Sequence, residues 1–181
     1  MTASVQSNGL RVEEAIPVLE ATPAVLRALL ERLPGEWLDF HEEADAWSPR
    51  MVLVHFIQNE RNNWIPRARV ALSRSEERKF VPFQQLPSPG EFDDTDVTAM
   101  LTEFAALRQD NLTILRGFDL QPDDYLRTAE HPSLGTVMLG QLLGTWAVHD
   151  LNHIHQILKS LAKLHAVAVG PWRQYLGILD L

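Results

Sequence analysis

The chain contains no cysteine. That excludes a disulfide framework, a thiolate zinc site, an iron–sulfur cluster and a cysteine nucleophile. It also lacks any apolar run near the ~18 residues needed to span a bilayer. Its first ten residues have neither the positive start nor the apolar stretch of a secretory signal. No glycine-rich phosphate loop is present, and no serine sits in a G-x-S-x-G setting; Ser48 and Ser133 read as helix caps instead. Positive charge is scarce, with 16 Lys and Arg against 24 Asp and Glu, a net charge of −8. Such a chain repels phosphate backbones at long range, so nucleic acid is not an expected partner. The one basic run, Arg67, Arg69, Arg74, Arg78 and Lys79, is interleaved with Glu76 and Glu77 and reads as a solvated loop. The expectation is a soluble cytoplasmic protein without a membrane partner.

What the chain does have is helical periodicity. Its 181 residues, 45% hydrophobic and 22% charged, suit a single domain spanning residues 1–181 with a core of its own. Residues 10–33 read as helical, with a restart at Thr22-Pro23, where a cap precedes a first-turn proline. A second helix opens at Ser48-Pro49 and runs to residue 72, kinked by Pro66. Residues 73–93, rich in Pro, Gly, Phe and Gln, form a long connection of the kind that covers functional sites. A third helix covers residues 94–117, with Val97, Leu101, Phe104, Leu112 and Leu115 on one stripe. The fourth, capped by Ser133, extends to about residue 165, and Gly170-Pro171-Trp172 precedes a short terminal helix. The only strand candidate is a weak one at residues 79–83. Four long amphipathic helices predict an all-α four-helix bundle, with a crossover permitted by the long second-to-third connection.

Seven histidines are available, and one pair has a telling spacing. His149 and His153 are four apart on the last long helix, so they project from one face at adjacent turns. Two imidazoles so placed can hold a metal ion at about 2.0–2.1 Å each. Taking ~100° per residue, Leu142, Gln156 and Ser160 fall on the same side as this pair, while Ala147, Leu151, Ile154, Leu158 and Leu161 form a separate apolar flank. His155 falls in a solvated sector. Asp150 lies on the apolar flank, where a lone carboxylate is costly; it either orients a ligand or holds an arginine in a buried ion pair. Arg108, inside the stripe of the third helix, is its natural partner, the alternative being an anionic substrate. A third metal ligand must come from another helix. His55, amid Met51–Ile57 on the second helix, is the best candidate, the alternative being a core histidine bonded to a neighbour. Asn59 and Asn62 recur on its side, and Trp47 and Trp64 flank it as possible pocket walls.

Trp47-Ser48-Pro49, Val54-His55-Phe56, His131-Pro132-Ser133-Leu134-Gly135 and the stretch from Trp146 through Ile157, which contains His149-x-x-x-His153, resemble the DinB-like family, also described as YfiT-like metal-dependent hydrolases. The resemblance covers nearly the whole chain. It implies a four-helix bundle carrying one divalent metal on His55, His149 and His153, in a protein that is usually a dimer. The characterised relatives it brings in use low-molecular-weight thiols: bacillithiol transferases and mycothiol-dependent maleylpyruvate isomerase. The isomerase type has a Glu among its ligands; three histidines here are nearer the bacillithiol-transferase type.

Imidazole ligands suit Zn²⁺ or Ni²⁺. The expected site is a pocket around the three histidines, with Asn59 or Gln156 supporting them and residues 73–93 as part of the roof. The expected chemistry is transfer of a small thiol to an electrophile, with hydrolysis on the same metal, or a non-enzymatic dimeric module, as competitors.

Overall fold

A computed structural model of the chain describes residues 9–43, 45–84, 92 and 95–180. Its long elements are α1 (Val12–Leu30), α3 (Pro49–Asn62) continued by α4 (Trp64–Leu72), α5 (Val97–Gly117) and α6 (Leu139–Leu164), with a single turn, α2 (Gly35–Leu38), after α1. The expected all-α four-helix bundle is what forms, though its order is not up-down-up-down. α1 packs on α5 and α6, and α3 packs on the same two helices. Helices α1 and α3 therefore occupy opposite corners, as do α5 and α6. The long connection after α4 joins neighbours, and the crossings lie in the α1–α3 and α5–α6 links.

Local chemistry explains most of the helix limits, and several departures from the sequence reading. Ser48 caps α3 as expected, its Oγ accepting from the Met51 N–H at 3.3 Å. Asp96 caps α5, accepting from the Thr98 and Ala99 N–H groups at 2.9 and 3.2 Å; residue 94, where the third helix was expected to open, lies outside the described residues. α1 does not restart at Thr22-Pro23. It runs through both Pro17 and Pro23, with the Thr22 hydroxyl donating to Val18 O at 3.0 Å. Pro23 has no N–H to offer Leu19 O, and that carbonyl instead accepts from Arg108 Nη1 at 2.8 Å. A tertiary donor replaces the one the helix lost. The second predicted helix is broken three residues before Pro66, at Asn63 (φ −111°, ψ −70°), because the proline ring crowds the carbonyl four residues earlier.

Ser133 is not a helix cap. Residues Thr128–His131 (β1) and Gly135–Met138 (β2) pair antiparallel, Thr128 opposite Met138 and His131 opposite Gly135. Pro132, Ser133 and Leu134 make the loop, and Gly135 takes φ +72° to close it, a backbone conformation that favours glycine. The weak strand candidate contributes one parallel bridge, Lys79 to Glu130, with Phe80 N–H donating to Glu130 O at 2.9 Å. This ties the start of the long connection to the hairpin. Arg127 anchors the same region, donating to the carbonyls of Ala71, Leu72 and Ser73 at the end of α4. Beyond α6 the expected terminal helix is two short 3₁₀ segments, Gly170–Tyr175 and Gly177–Leu179. No helix among the described residues is long and apolar enough to cross a membrane.

Candidate metal centre

The bundle places two buried polar clusters on either side of α6. In the first, Arg108 of α5 is 1% exposed and faces Asp150 of α6 and Glu60 of α3, both fully buried. Its Nη1 lies 2.6 Å from Asp150 Oδ2, and its Nη2 lies 2.8 Å from Glu60 Oε1. The other acceptor sites are occupied: Asn111 Nδ2 donates to Glu60 Oε2 at 2.9 Å and Trp146 Nε1 to Glu60 Oε1 at 3.2 Å. Burial works against the Asp150 charge, but the attraction of Arg108, with the polar contacts of His149, Arg108 and Thr22, outweighs it and holds the carboxyl below its usual range. For Glu60 burial prevails over Arg108 and its pKa is raised. Asp150 and Arg108 are thus a core ion pair, and neither reaches a cleft. Glu60 is the member that the sequence reading missed.

The second cluster is the three histidines. His55 of α3 and His149 and His153 of α6 each bring one ring nitrogen to within 4.8 Å of the others. Nε2 of His55 and Nε2 of His149 are 2.9 Å apart. Two ligands of a tetrahedral ion at about 2.0–2.1 Å would be about 3.3 Å apart, so small adjustments suffice for the rings to share one cation. Two of the three rings are held by hydrogen-bonding groups from outside the cluster. His153 donates from Nδ1 to Gln156 Oε1 at 2.8 Å, which leaves its Nε2 lone pair for the cluster. Asn59 Nδ2 donates to His55 O at 2.8 Å and lies 3.0 Å from His55 Nε2, while Asn63 Nδ2 donates to Asn59 Oδ1 at 2.7 Å. His149 Nδ1 is buried with no hydrogen-bond partner; the nearest carboxylate oxygen, Asp150 Oδ1, is 3.8 Å away, beyond hydrogen-bond reach. Burial, then the neighbouring His149, push the His153 imidazole down to about 4. It is therefore neutral near pH 7, the form in which imidazole ligates metals.

Aromatic rings fix the walls. Trp47 stacks parallel to His153 with centroids 6.0 Å apart and lies 4.8 Å from His55. Trp64 meets His149 edge-on at 5.1 Å and is itself stacked on Trp146. His55 is buried, but His149 and His153 are only partly so, and all three open into a cleft of about 520 Å³. Phe80, Pro82 and Phe83, from the first half of the 73–93 connection, line that cleft together with the β1–β2 loop. The expected roof is present to that extent; residues 85–91 and 93 lie outside the described residues.

The structure brings Asn59 and Gln156 to the histidines and leaves Asn62 out. The row that faces the cleft is His55, Asn59, Asn63, the i, i+4 ridge of α3, which is inclined to the helix axis. Asn62 falls off its edge, exposed, and donates to Gln58 Oε1 at 2.9 Å. Two further corrections concern exposure. Arg67 is not in a solvated loop; it sits on α4 and lines the cleft. Leu151 and Leu158, expected on a buried flank, are 53% and 37% exposed, next to Val148 at 60%.

The DinB superfamily sequence profile matches residues 18–157, and the chain belongs to that superfamily. A protein of Oceanobacillus iheyensis named "Putative metal-dependent hydrolase" is 28% identical over 148 residues, 81% of this chain and 83% of the relative. A Bacillus mycoides protein with the same description is 23% identical over 158 residues, covering 85% and 87% of the two chains. The structure of YfiT from Bacillus subtilis, described as a probable metal-dependent hydrolase with an unusual four-helix bundle topology, superimposes with a TM-score of 0.71. That match has 23% identity and covers 92% of this chain and 93% of YfiT.

Proposed function

We propose that this chain is a metal-dependent enzyme in which His55, His149 and His153 hold one divalent cation, Zn²⁺ or Ni²⁺, and a small molecule reacts at the open side of that site. The observation that carries the proposal is the convergence of three ring nitrogens from two helices at the base of a cleft. No fourth His, Asp or Glu joins the cluster among the described residues. A closed structural site needs four protein ligands; three with an open position are the mark of a catalytic one. When bound, the ion supplies a Lewis acid that lowers the pKa of a thiol or water at that position and so yields a nucleophile near neutral pH. The chain's own residues set up the rest. Gln156 keeps the His153 proton on Nδ1, Asn59 restrains His55, and Trp47 and Phe83 shield the base of the cleft from bulk water.

Of the two reactions such a site can run, transfer of a low-molecular-weight thiol to an electrophile is the first reading. None of the described residues lining the cleft is Asp or Glu. Attack by water leaves a second proton for a general base to take, whereas a thiol that has lost its single proton needs no such base. The chain has no cysteine of its own, so the sulfur would arrive with the cosubstrate. Hydrolysis on the same metal is the second reading, favoured by the descriptions of the relatives. We also infer a homodimer, supported by the uncovered apolar stripe Val148, Leu151 and Leu158 on the outer side of α6, and a cytoplasmic setting, in keeping with a cysteine-free chain.

Elemental analysis of the purified protein tests the metal. One equivalent of a divalent transition metal per chain is expected, with its loss in His149→Ala; full metal content in that variant refutes the ligand assignment. Thiol consumption against a panel of electrophiles then separates the reactions. A loaded protein that consumes no thiol but cleaves ester or amide substrates makes it a hydrolase, and one that does neither makes it a binding module.

A further inference from the structure

The cleft carries a charge pattern opposite to that of the chain. The protein has a net charge of −8, yet the described residues that line the cleft include no carboxylate and one arginine, Arg67. That guanidinium lies over the Phe80 ring, 5.1 Å from its centroid. It has no carboxylate and no hydrogen-bond acceptor among the described residues. The buried or half-buried arginines of the helices are otherwise paired, as Arg50 is with Asp39 and Arg108 with Glu60 and Asp150. A half-buried arginine held on an aromatic face with its fork of donors unused is built to receive a planar oxyanion.

His131 adds a second donor beside it. Its Nδ1 accepts from the Ser133 and Leu134 N–H groups at 3.2 and 3.3 Å, which puts the proton of the neutral ring on Nε2. Burial and then the charge of Arg67 hold the His131 pKa below its usual value, so the ring stays a neutral donor instead of adding charge. The β1–β2 turn, with Gly135 at positive φ, fixes this ring at the wall of the cleft.

We propose that Arg67, assisted by His131, is the specificity-determining residue of the cleft and that the substrate is a small molecule with an anionic oxyacid group held there while its reacting end faces the three histidines. The shared chemistry is an oxyanion, carboxylate or phosphate, on an apolar body that fits between Trp47, Phe83 and Leu134. This rests on the reading of the histidine cluster as the reactive centre, but its test does not depend on the metal.

The experiment is calorimetric titration of the full-length protein, as purified and again after chelation, with benzoate, phenyl phosphate and neutral benzamide. The wild type is expected to bind one or both anions roughly tenfold to a hundredfold more tightly than benzamide, the contribution of charge-assisted hydrogen bonds to a guanidinium. That preference should vanish in Arg67→Gln and survive in part in Arg67→Lys, which keeps the charge without the planar fork. Preference for benzoate alone identifies a carboxylate substrate, and for phenyl phosphate alone a phosphate ester. Equal affinity for all three probes in the wild type, or an anion preference unchanged in Arg67→Gln and Arg67→Lys, overturns the proposal. Metal analysis separates the two ideas: protein that carries no metal as purified and takes up none when Zn²⁺ or Ni²⁺ is added, yet prefers the anions through Arg67, refutes the three-histidine centre alone, and metal-loaded protein without the preference refutes the Arg67 site alone.

Discussion

His149 and Asp150 are neighbours on one helix and belong to opposite kinds of polar cluster. Around Asp150 nearly every group is occupied: Arg108 donates to two carboxylates and a backbone carbonyl, and Asn111 and Trp146 fill much of what remains around Glu60. Around His149 three ring nitrogens are turned toward one another, and the other nitrogen of the His149 ring, Nδ1, is buried without a hydrogen bond. A buried polar network is tolerable only when its members are satisfied. The Arg108 cluster balances its charges within the protein, with only the Arg108 Nε left without a hydrogen bond, so it is architecture. The histidine cluster has no such internal counter-charge at its centre, and the cation proposed above is the group that would complete it.

The largest effect that this contrast predicts is on stability. Arg108→Met leaves two buried carboxylates facing each other and Leu19 O without a donor. It should cost about 3–5 kcal/mol, the range for breaking a buried pair from one side. Denaturant unfolding of the chelated protein reads it, and the same measurement on His149→Ala should show a far smaller loss. Comparable losses in the two variants would mean that the histidines are architecture as well. Next in size is Gln156→Ala. Removing the acceptor that fixes His153 should leave the fold intact and weaken metal affinity by roughly tenfold to a hundredfold, as for partners that orient metal-ligating histidines elsewhere. Competition against a chromophoric chelator measures it; unchanged affinity would show that Gln156 does not orient the ring.

The parts of this arrangement that were legible in the sequence are those written in local periodicity. Ser48-Pro49 announces the start of α3, and the i, i+4 spacing of His149 and His153 gives one face of the site. An arginine in the apolar stripe of α5 and a carboxylate on the apolar flank of α6 announce each other. What was not legible depends on chain segments far apart in sequence. Pro23 reads as a restart because the donor that rescues Leu19 O sits 89 residues away. Glu60 is invisible because every residue of α3 from Val52 to Glu60 is buried, which erases the periodicity that would mark it. Arg67 looks solvated until the connection after α4 folds Phe80 back beneath it. The hairpin strands, at four residues each, are too short for alternation to show.

The smallest predicted effect separates the two carboxylates within the closed cluster. Asp150 has a lowered pKa and contributes stability above its unfolded value, whereas Glu60 has a raised one. A carboxyl whose folded pKa lies above the unfolded one binds its proton more tightly in the native state, so folding stability declines as pH rises from the unfolded value through the folded one. Glu60→Gln keeps the shape and an acceptor for Arg108 while removing that titration. The Arg108 charge is then balanced by Asp150 alone, a one-to-one pair. The variant should therefore lose only about 1 kcal/mol near neutral pH, the scale of a single hydrogen bond, and more on the acid side, where the native Glu60 is protonated. Its stability should fall less steeply than the wild type's as pH rises from the usual carboxyl range toward neutrality. Denaturant unfolding across that range checks the slope. A wild-type slope retained in Glu60→Gln would mean that Glu60 is ionised throughout and that Arg108 serves two full negative charges instead of one.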